Sequence, residues 1–228
     1  MRATRPAVLF DRLPGRPIAA VLAAAGVLAG VMVGQGGLDT VVGCGIAQDA
    51  YASQSAADWV AGADHVVVAT PTGEQETNRE DYTEGSVKYV ADRDVSFRTD
   101  DVVWSAGSPR QSMGDSFDMV ASGWRVYASG TRVKRTAAAA PRLETGHTYL
   151  LAVRWVDKGW AVLGEGAAVP FDDHVAGQGE WCGRVLSKED VALGERFSRK
   201  DDSSLEEDVW GQGEEAVAAA LRGAKKSS

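Results

Sequence analysis

Three histidines are the residues of this chain best suited to acid–base or metal chemistry. His65 lies in an apolar run, His147 lies near a turn signal, and His174 follows Asp172 and Asp173. A metal site needs three or four converging ligands, whereas neighbouring residues such as Asp172, Asp173 and His174 point in different directions. We therefore predict a solvated turn at these residues, and no metal site.

No motif of a hydrolase or a phosphate-binding enzyme is present. The chain lacks His-Glu-x-x-His, Gly-x-Ser-x-Gly and Gly-x-x-x-x-Gly-Lys, which are patterns that place a metal, a nucleophile or a phosphate. Adjacent carboxylates such as Asp100-Asp101 are common in any acidic chain. The sequence therefore predicts no catalytic residue, no cofactor and no enzymatic activity.

Two cysteines, Cys44 and Cys182, are separated by 137 residues. Two are too few for a cysteine-rich zinc module or a dense disulfide framework. Outside the cell a bridge between them can form, and closing so long a loop would contribute on the order of 4 kcal/mol. The alternatives are two free thiols or acylation of Cys44.

An apolar segment near the N-terminus is long enough to cross a membrane. Residues 17–38 carry no charge over 22 positions, and about 20 apolar residues span a bilayer core as a helix. Four arginines and one aspartate precede the segment, whereas 20 basic and 31 acidic residues follow it. Because the positive flank stays in the cytoplasm, we predict a single-pass signal anchor with the C-terminal domain extracellular.

Two other interpretations of this segment are a cleaved secretory signal and a lipoprotein signal that ends at Cys44. No Ala-x-Ala-like cleavage site follows the apolar run. Within the segment, Gly26, Gly30 and Gly34 recur every four residues, a spacing that lets two helices approach closely. Homodimerisation through this face is one interpretation, and chance in a segment rich in alanine and glycine is the other.

The composition is that of a soluble acidic domain. The chain has 228 residues, of which 44% are hydrophobic and 25% charged, and its net charge is −8. These values are close to globular averages, and the negative charge argues against nucleic-acid binding.

Five segments have the pattern of strands. They are His65–Thr70, Val95–Trp104, Phe117–Tyr127, Thr148–Val156 and Trp160–Leu163. The last two flank Asp157-Lys158-Gly159 and predict a β-hairpin with a three-residue turn. The polar stretch 74–85 is predicted as a loop or hairpin arm, and Arg132–Pro141 as a loop.

Helices are predicted on both sides of these strands. Ser55 with Asp58 and Ser187 with Asp190 match capping boxes, and Glu214–Leu221 has the signals of a helix that ends at Gly223. The predicted fold is mainly β: a small five-stranded OB-like β-barrel with an N-terminal transmembrane helix and a C-terminal helical extension. The predicted segments are a cytoplasmic basic segment (1–16), the anchor (17–38), a linker with a capped helix (39–62), the barrel (63–175) and a helical tail with a disordered end (176–228).

One group of residues is a candidate interaction surface. Trp124, Arg125, Arg132, Lys134 and Arg135 place an aromatic ring beside a basic island in an acidic domain. Such a group can contact anionic lipid or a wall polymer, whereas a buried tryptophan and a solvated loop are the alternatives.

Three short patterns carry a resemblance to a known family. Cys44 precedes Ala63-Asp64-His65-Val66, a strand ends in Val102-Val103-Trp104-Ser105-Ala106-Gly107, and Leu143 to Leu151 reads LETGHTYLL. In these features the chain resembles the OB-like barrel of the netrin and tissue-inhibitor-of-metalloprotease class, over roughly residues 64–171. The resemblance implies the barrel fold.

The chain departs from the inhibitory members of that class. They begin Cys-x-Cys with a free amine that binds the protease zinc, whereas this chain reads Cys44-Gly45-Ile46. We therefore do not infer protease inhibition from this resemblance. In its anchor and composition the chain also resembles envelope proteins of high-GC Gram-positive bacteria. We expect a non-catalytic binding module at the membrane whose partner is an envelope protein or polymer. The alternatives are a dimerising assembly protein and, third, a secreted inhibitor-like protein or an enzyme.

Overall fold

The structure is a computed structural model that describes residues 41–45, 51–137, 140–196 and 204–227. This part of the chain is mainly β, as predicted. The strands are β1 (Val41–Gly45), β2 (His65–Asp81), β3 (Val87–Ser105), β4 (Ser116–Tyr127), β5 (Arg132–Ala137), β6 (Tyr149–Val156), β7 (Gly159–Val162), β8 (Ala168–Pro170), β9 (Gly179–Trp181) and β10 (Arg184–Leu186). The α-helices are α1 (Ala56–Gly62), α2 (Lys188–Ala192), α3 (Leu205–Asp208) and α4 (Glu214–Ser227).

Five strands form a ring of hydrogen-bonded neighbours. β2, β3 and β4 are an antiparallel meander, and β6 returns to pair antiparallel with β2. This is the Greek-key order, in which a fourth strand lies beside the first. β7 pairs with β6 and reaches β4 through one parallel bridge between Met119 and Trp160, which closes the ring. β5 and β1 extend the sheet beyond β4, and β8 pairs with β6.

The first five residues of β2 and of β6 are buried on both faces of the sheet. Val67 and Leu151 pack with residues of β3, β4 and β7, whereas Val66, Val68 and Leu150 pack against the helices. A strand covered on both sides reads as a continuous apolar run rather than an alternation. The helical residues that cover β2 and β6 are Trp59 of α1, Leu205 of α3, and Val217 and Leu221 of α4.

Both predicted capping boxes are confirmed. The Asp58 N–H donates to Ser55 Oγ at 3.2 Å, and the Ser55 N–H donates to the Asp58 carboxylate at 2.9 Å. Ser187 and Asp190 repeat this exchange at the start of α2. Each box satisfies backbone donors that the first turn of a helix leaves unpaired.

The β6–β7 hairpin is confirmed, but its turn has two residues rather than three. Val156 pairs with Gly159, and Asp157 and Lys158 between them have φ values of 49° and 71°. Positive φ at both central residues defines the type I′ turn, whose twist matches that of the strands. Lys158 therefore occupies a backbone conformation that favours glycine.

Replacing Lys158 with glycine should stabilise the protein. The side chain at φ 71° carries a steric cost that glycine lacks, so we expect Lys158→Gly to raise the free energy of unfolding by about 1 kcal/mol. Urea denaturation of the full chain measures the change. Lys158→Ala is the matched control, since it keeps the Cβ and should give no gain; a gain from alanine equal to that from glycine would contradict the explanation.

Several boundaries differ from the sequence-based expectations. Residues 132–137, predicted as a loop, form strand β5, because Val133 and Thr136 turn inward while β4 and β1 supply hydrogen-bonding partners on either side. Of the two predictions for 74–85, the hairpin arm agrees with the structure, because β2 continues to Asp81 in antiparallel pairing with β3. The predicted helical tail contains the β9–β10 hairpin, and α4 continues past Leu221 to Ser227.

Among the residues described, no helix is both long and apolar enough to cross a membrane. The predicted anchor, residues 17–38, and its Gly26, Gly30 and Gly34 face lie outside the described residues.

Candidate functional site

A cleft opens where β4 and β7 separate. The two strands share only the Met119–Trp160 bridge, and beyond that bridge they enclose a cavity of about 370 Å³, a size typical of small-molecule or peptide sites. We call it the seam cleft. Its described lining comes from β4 (Met119–Ser122), β5 (Thr136 and Ala137), the segment 140–143, β7 (Ala161 and Val162), and Gly164, Glu165 and Ala168.

The lining of the seam cleft is small and mostly apolar. Alanines line much of it, and the charged residues among the described lining are Arg142 and Glu165. Val120 belongs to this lining and is 53% exposed. An apolar hollow with a few polar groups is the usual form of a binding site.

Two buried arginines satisfy the β4 carbonyls beside the cleft. Arg93 Nε donates to the Ser122 carbonyl at 3.0 Å, and Arg142 Nη2 donates to the Gly123 carbonyl at 3.2 Å. Both side chains are fully buried. Because buried backbone oxygens need a hydrogen-bond donor, the two guanidinium groups supply the hydrogen bonds that the N–H groups of a neighbouring strand would otherwise donate.

Carboxylates compensate the charge of these arginines. Glu74 accepts from Arg93 Nη1 at 2.5 Å, and Glu144 accepts from Arg142 Nη1 at 2.7 Å. Lys134 Nζ also lies 3.1 Å from Glu144. Burial lowers the pKa of Arg93, and Arg142 lowers it further. Burial alone would raise the pKa of Glu144, but Arg142 and Lys134 outweigh it and the pKa is lowered.

One donor of this network has no acceptor. Arg142 Nε is buried and has no hydrogen-bond partner among the described residues. A buried N–H without an acceptor costs free energy.

Glu180 connects the network to the β9–β10 hairpin. Its carboxylate accepts from the Arg142 N–H at 2.9 Å, the Tyr149 hydroxyl at 3.0 Å and the Gly183 N–H at 3.1 Å. Burial raises the pKa of Glu180, and these neutral donors offset only part of that effect. Burial likewise raises the pKa of the Tyr149 hydroxyl.

The raised pKa of Glu180 predicts a pH-dependent stability. Folding favours the protonated form, so this contribution is complete below the unfolded-state pKa and is lost as the pH rises through the folded-state value. The free energy of unfolding of Glu180→Gln, relative to that of wild type, should therefore increase as the pH rises from 4 to 8. The increase should be about 1.4 kcal/mol for each unit by which folding raises the pKa of Glu180. Urea denaturation across this range measures it. Exposed Glu189→Gln is the control, and a pH-independent difference for Glu180→Gln would contradict the prediction.

Three of the four basic residues predicted as an interaction surface are paired with acids. Trp124 is 7% exposed, with the Arg132 guanidinium 3.7 Å from its ring, so it belongs to the core and is not an exposed anchor. Arg132, Lys134 and Arg135 pair with Glu76, Glu144 and Asp92 at 3.3, 3.1 and 4.0 Å. Arg125 lies on β4 opposite Val133 of β5. These carboxylates come from other strands and from the segment before β6. The sequence around the basic residues therefore does not reveal their partners.

Cys182 lies at the tip of the β9–β10 hairpin and is disulfide-bonded. Cys182 and Gly183 have φ values of 49° and 78° and form the two-residue turn. The other cysteine, Cys44, lies in β1 opposite Thr136, and its side chain is outside those described. The Cys44–Cys182 bridge stays a prediction: the full chain should take up no thiol reagent before reduction and two equivalents after it, as intact mass measures. Uptake before reduction would contradict it.

Each histidine is held by a partner. His65 Nε2 donates to the Gln111 carbonyl at 2.8 Å, and His65 Nδ1 lies 2.8 Å from Ser105 Oγ. His147 pairs with Asp172 at 2.6 Å, and His174 with Glu214 at 2.5 Å. In the described ranges no three His, Cys, Asp or Glu side chains converge as metal ligands do.

Sequence reasoning did not identify Arg93, Arg142 or the alanines of the seam cleft. Arg93 occupies an inward position in the alternation of β3, between buried Ala91 and Val95. A charged residue at an inward position was the signal in the sequence that could have indicated a buried arginine. In comparisons with known proteins, the chain matches no family model and no curated protein.

Proposed function

We propose that this chain is a non-catalytic binding module held at the outer surface of the cell membrane, and that its ligand occupies the seam cleft. The cleft itself carries the proposal. It is the apolar hollow left where β4 and β7 separate, it is of ligand size, and an exposed valine lies at its edge.

The fold proposed for the module is an OB-like barrel. Support comes from the ring of five strands, its Greek-key order and its single-bridge closure, since the OB fold is a partly open five-stranded Greek-key barrel. The resemblance to the netrin and tissue-inhibitor-of-metalloprotease class agrees with this proposal, on the barrel alone.

The location proposed for the module rests on the sequence. A 22-residue uncharged segment follows a short arginine-rich N-terminus and precedes an acidic domain, a pattern typical of an anchor with the N-terminus in the cytoplasm. A disulfide at Cys182 fits an oxidising compartment.

A dimerising assembly protein is the second candidate function. The observation that favours it is the four-residue spacing of Gly26, Gly30 and Gly34 in the apolar segment, which lets small residues line one helix face.

Photo-crosslinking of the full chain in its native host tests the proposal. p-Benzoylphenylalanine in place of Val120 should add a discrete mass to the chain on irradiation, and the same residue in place of exposed Leu193 should not. Ala161→Trp, which fills the cleft, should abolish the added mass. Equal adducts at both positions, or no adduct at Val120, would overturn the cleft as the site. An added mass equal to a second copy would favour the assembly function.

A further inference from the structure

The surface beside the seam cleft is acidic. Asp94 of β3 lies directly opposite Val120 of β4, and Asp118 lies opposite Ser96, whose hydroxyl donates to Asp118 at 2.6 Å. Directly opposed residues of an antiparallel pair share one face of the sheet, so both carboxylates lie on the same face as Val120. Within the described ranges neither Asp94 nor Asp118 has a cationic partner within 4.0 Å.

We infer that the occupant of the seam cleft is an extended peptide segment with small aliphatic side chains and flanking lysine or arginine residues. This inference rests on the proposed binding function and names the class of its ligand. Two properties of the site carry it: its apolar lining and its acidic border.

The lining selects for small aliphatic groups. Alanine, valine and methionine side chains of β4 and β7 form opposite walls, and the volume of about 370 Å³ suits a few methyl or isopropyl groups. A chain that passes between two separated strands fits best when extended, because its side chains alternate toward and away from the cleft.

The acidic border selects for flanking cations. Asp94 and Asp118 lie beside Val120 on this face and have no cationic partner among the described residues. Complementary charge at the border of an interface favours association and excludes like-charged partners. An anionic ligand would meet these carboxylates together with the acidic domain as a whole, whereas a basic flank neutralises them.

Peptide binding to the full chain in phosphatidylcholine nanodiscs tests the inference by fluorescence anisotropy. The probe is acetyl-Lys-Ala-Val-Ala-Lys-amide carrying a fluorophore, compared with Glu-Ala-Val-Ala-Glu and Lys-Gly-Gly-Gly-Lys in the same blocked form. We expect the first peptide to bind and each of the other two to bind at least roughly fivefold more weakly. Added salt should weaken the binding of the first.

Matched variants separate charge from shape. The double variant Asp94→Asn, Asp118→Asn should weaken binding of the basic peptide. The double variant Glu189→Gln, Glu195→Gln changes the net charge by the same amount and should not weaken it. Ala161→Trp should abolish binding; should it fail to fold, Val120→Asp at the exposed edge serves instead.

Two results overturn the inference, and they bear differently on the proposed function. If the basic peptide does not bind but the Val120 crosslink forms, the peptide ligand is rejected and the proposed binding function remains. If the peptide does not bind and no crosslink forms, both the peptide ligand and the binding function are rejected. Equal binding of the basic and acidic peptides would also reject the charge complementarity on which the ligand class depends.

Discussion

Replacing Gly123 with alanine should lower the free energy of unfolding by about 3 kcal/mol or more. A Cβ at this position would lie 2.5 Å from the Ala91 carbonyl oxygen and 2.7 Å from the Asp92 carbonyl carbon. Both atoms are backbone of β3, at the point where its register with β4 shifts. Because backbone in a paired strand cannot move aside as a side chain can, the collision must separate the two strands.

The measurement is urea denaturation of the full chain against a matched control. Gly73 also lies in a strand, but a Cβ there would meet nothing within 4 Å, so Gly73→Ala should change stability little. Equal losses for the two variants would show that the close approach of β3 to Gly123 is not what requires glycine.

Replacing Arg93 with methionine should cost about 3–5 kcal/mol, the usual effect of breaking a buried ion pair. The side chain is fully buried and donates to Glu74, Ser122 and Leu143. It also donates to the Arg142 carbonyl. Methionine fills similar volume but leaves these acceptors without a donor, so most of the loss comes from unsatisfied polar atoms.

Two further variants identify the cause. Arg79→Met removes an exposed pair with Asp81 and should change stability little. Adding Glu74→Leu to Arg93→Met should restore part of the loss, because the carboxylate that lost its hydrogen-bond donor is then gone. A double variant no more stable than the single one would indicate that the carbonyl contacts, rather than the ion pair, account for the effect.

The elements that the sequence predicted well are those specified by local signals. The capping residues Ser55 and Ser187 fix helix starts through contacts three residues away, and the hairpin of β6 and β7 follows from two apolar runs around a short turn. β5 was missed because its partners come from β4 and β1, on either side in the sheet.

The seam cleft could not be predicted for a related reason. Met119 and Trp160 meet only after the ring has closed, so the alanines around them look like ordinary strand residues in the sequence. The two buried arginines gave a weak signal: Arg93 interrupts an inward-facing alternation, whereas Arg142 follows Pro141 in a segment without periodicity. Their acceptors are backbone oxygens of residues far along the chain, which no spacing rule anticipates.

The burial of β2 on both faces has a consequence for the order in which the protein is made. The run His65–Thr70 has its covering helix residues as late as Leu221, and synthesis proceeds from the N-terminus at about 5–20 residues per second. Roughly eight to thirty seconds therefore pass between the synthesis of this apolar strand and that of the last residues that cover it. During that interval the nascent chain is most exposed to aggregation, and a chaperone that holds it extended would act on β2 first.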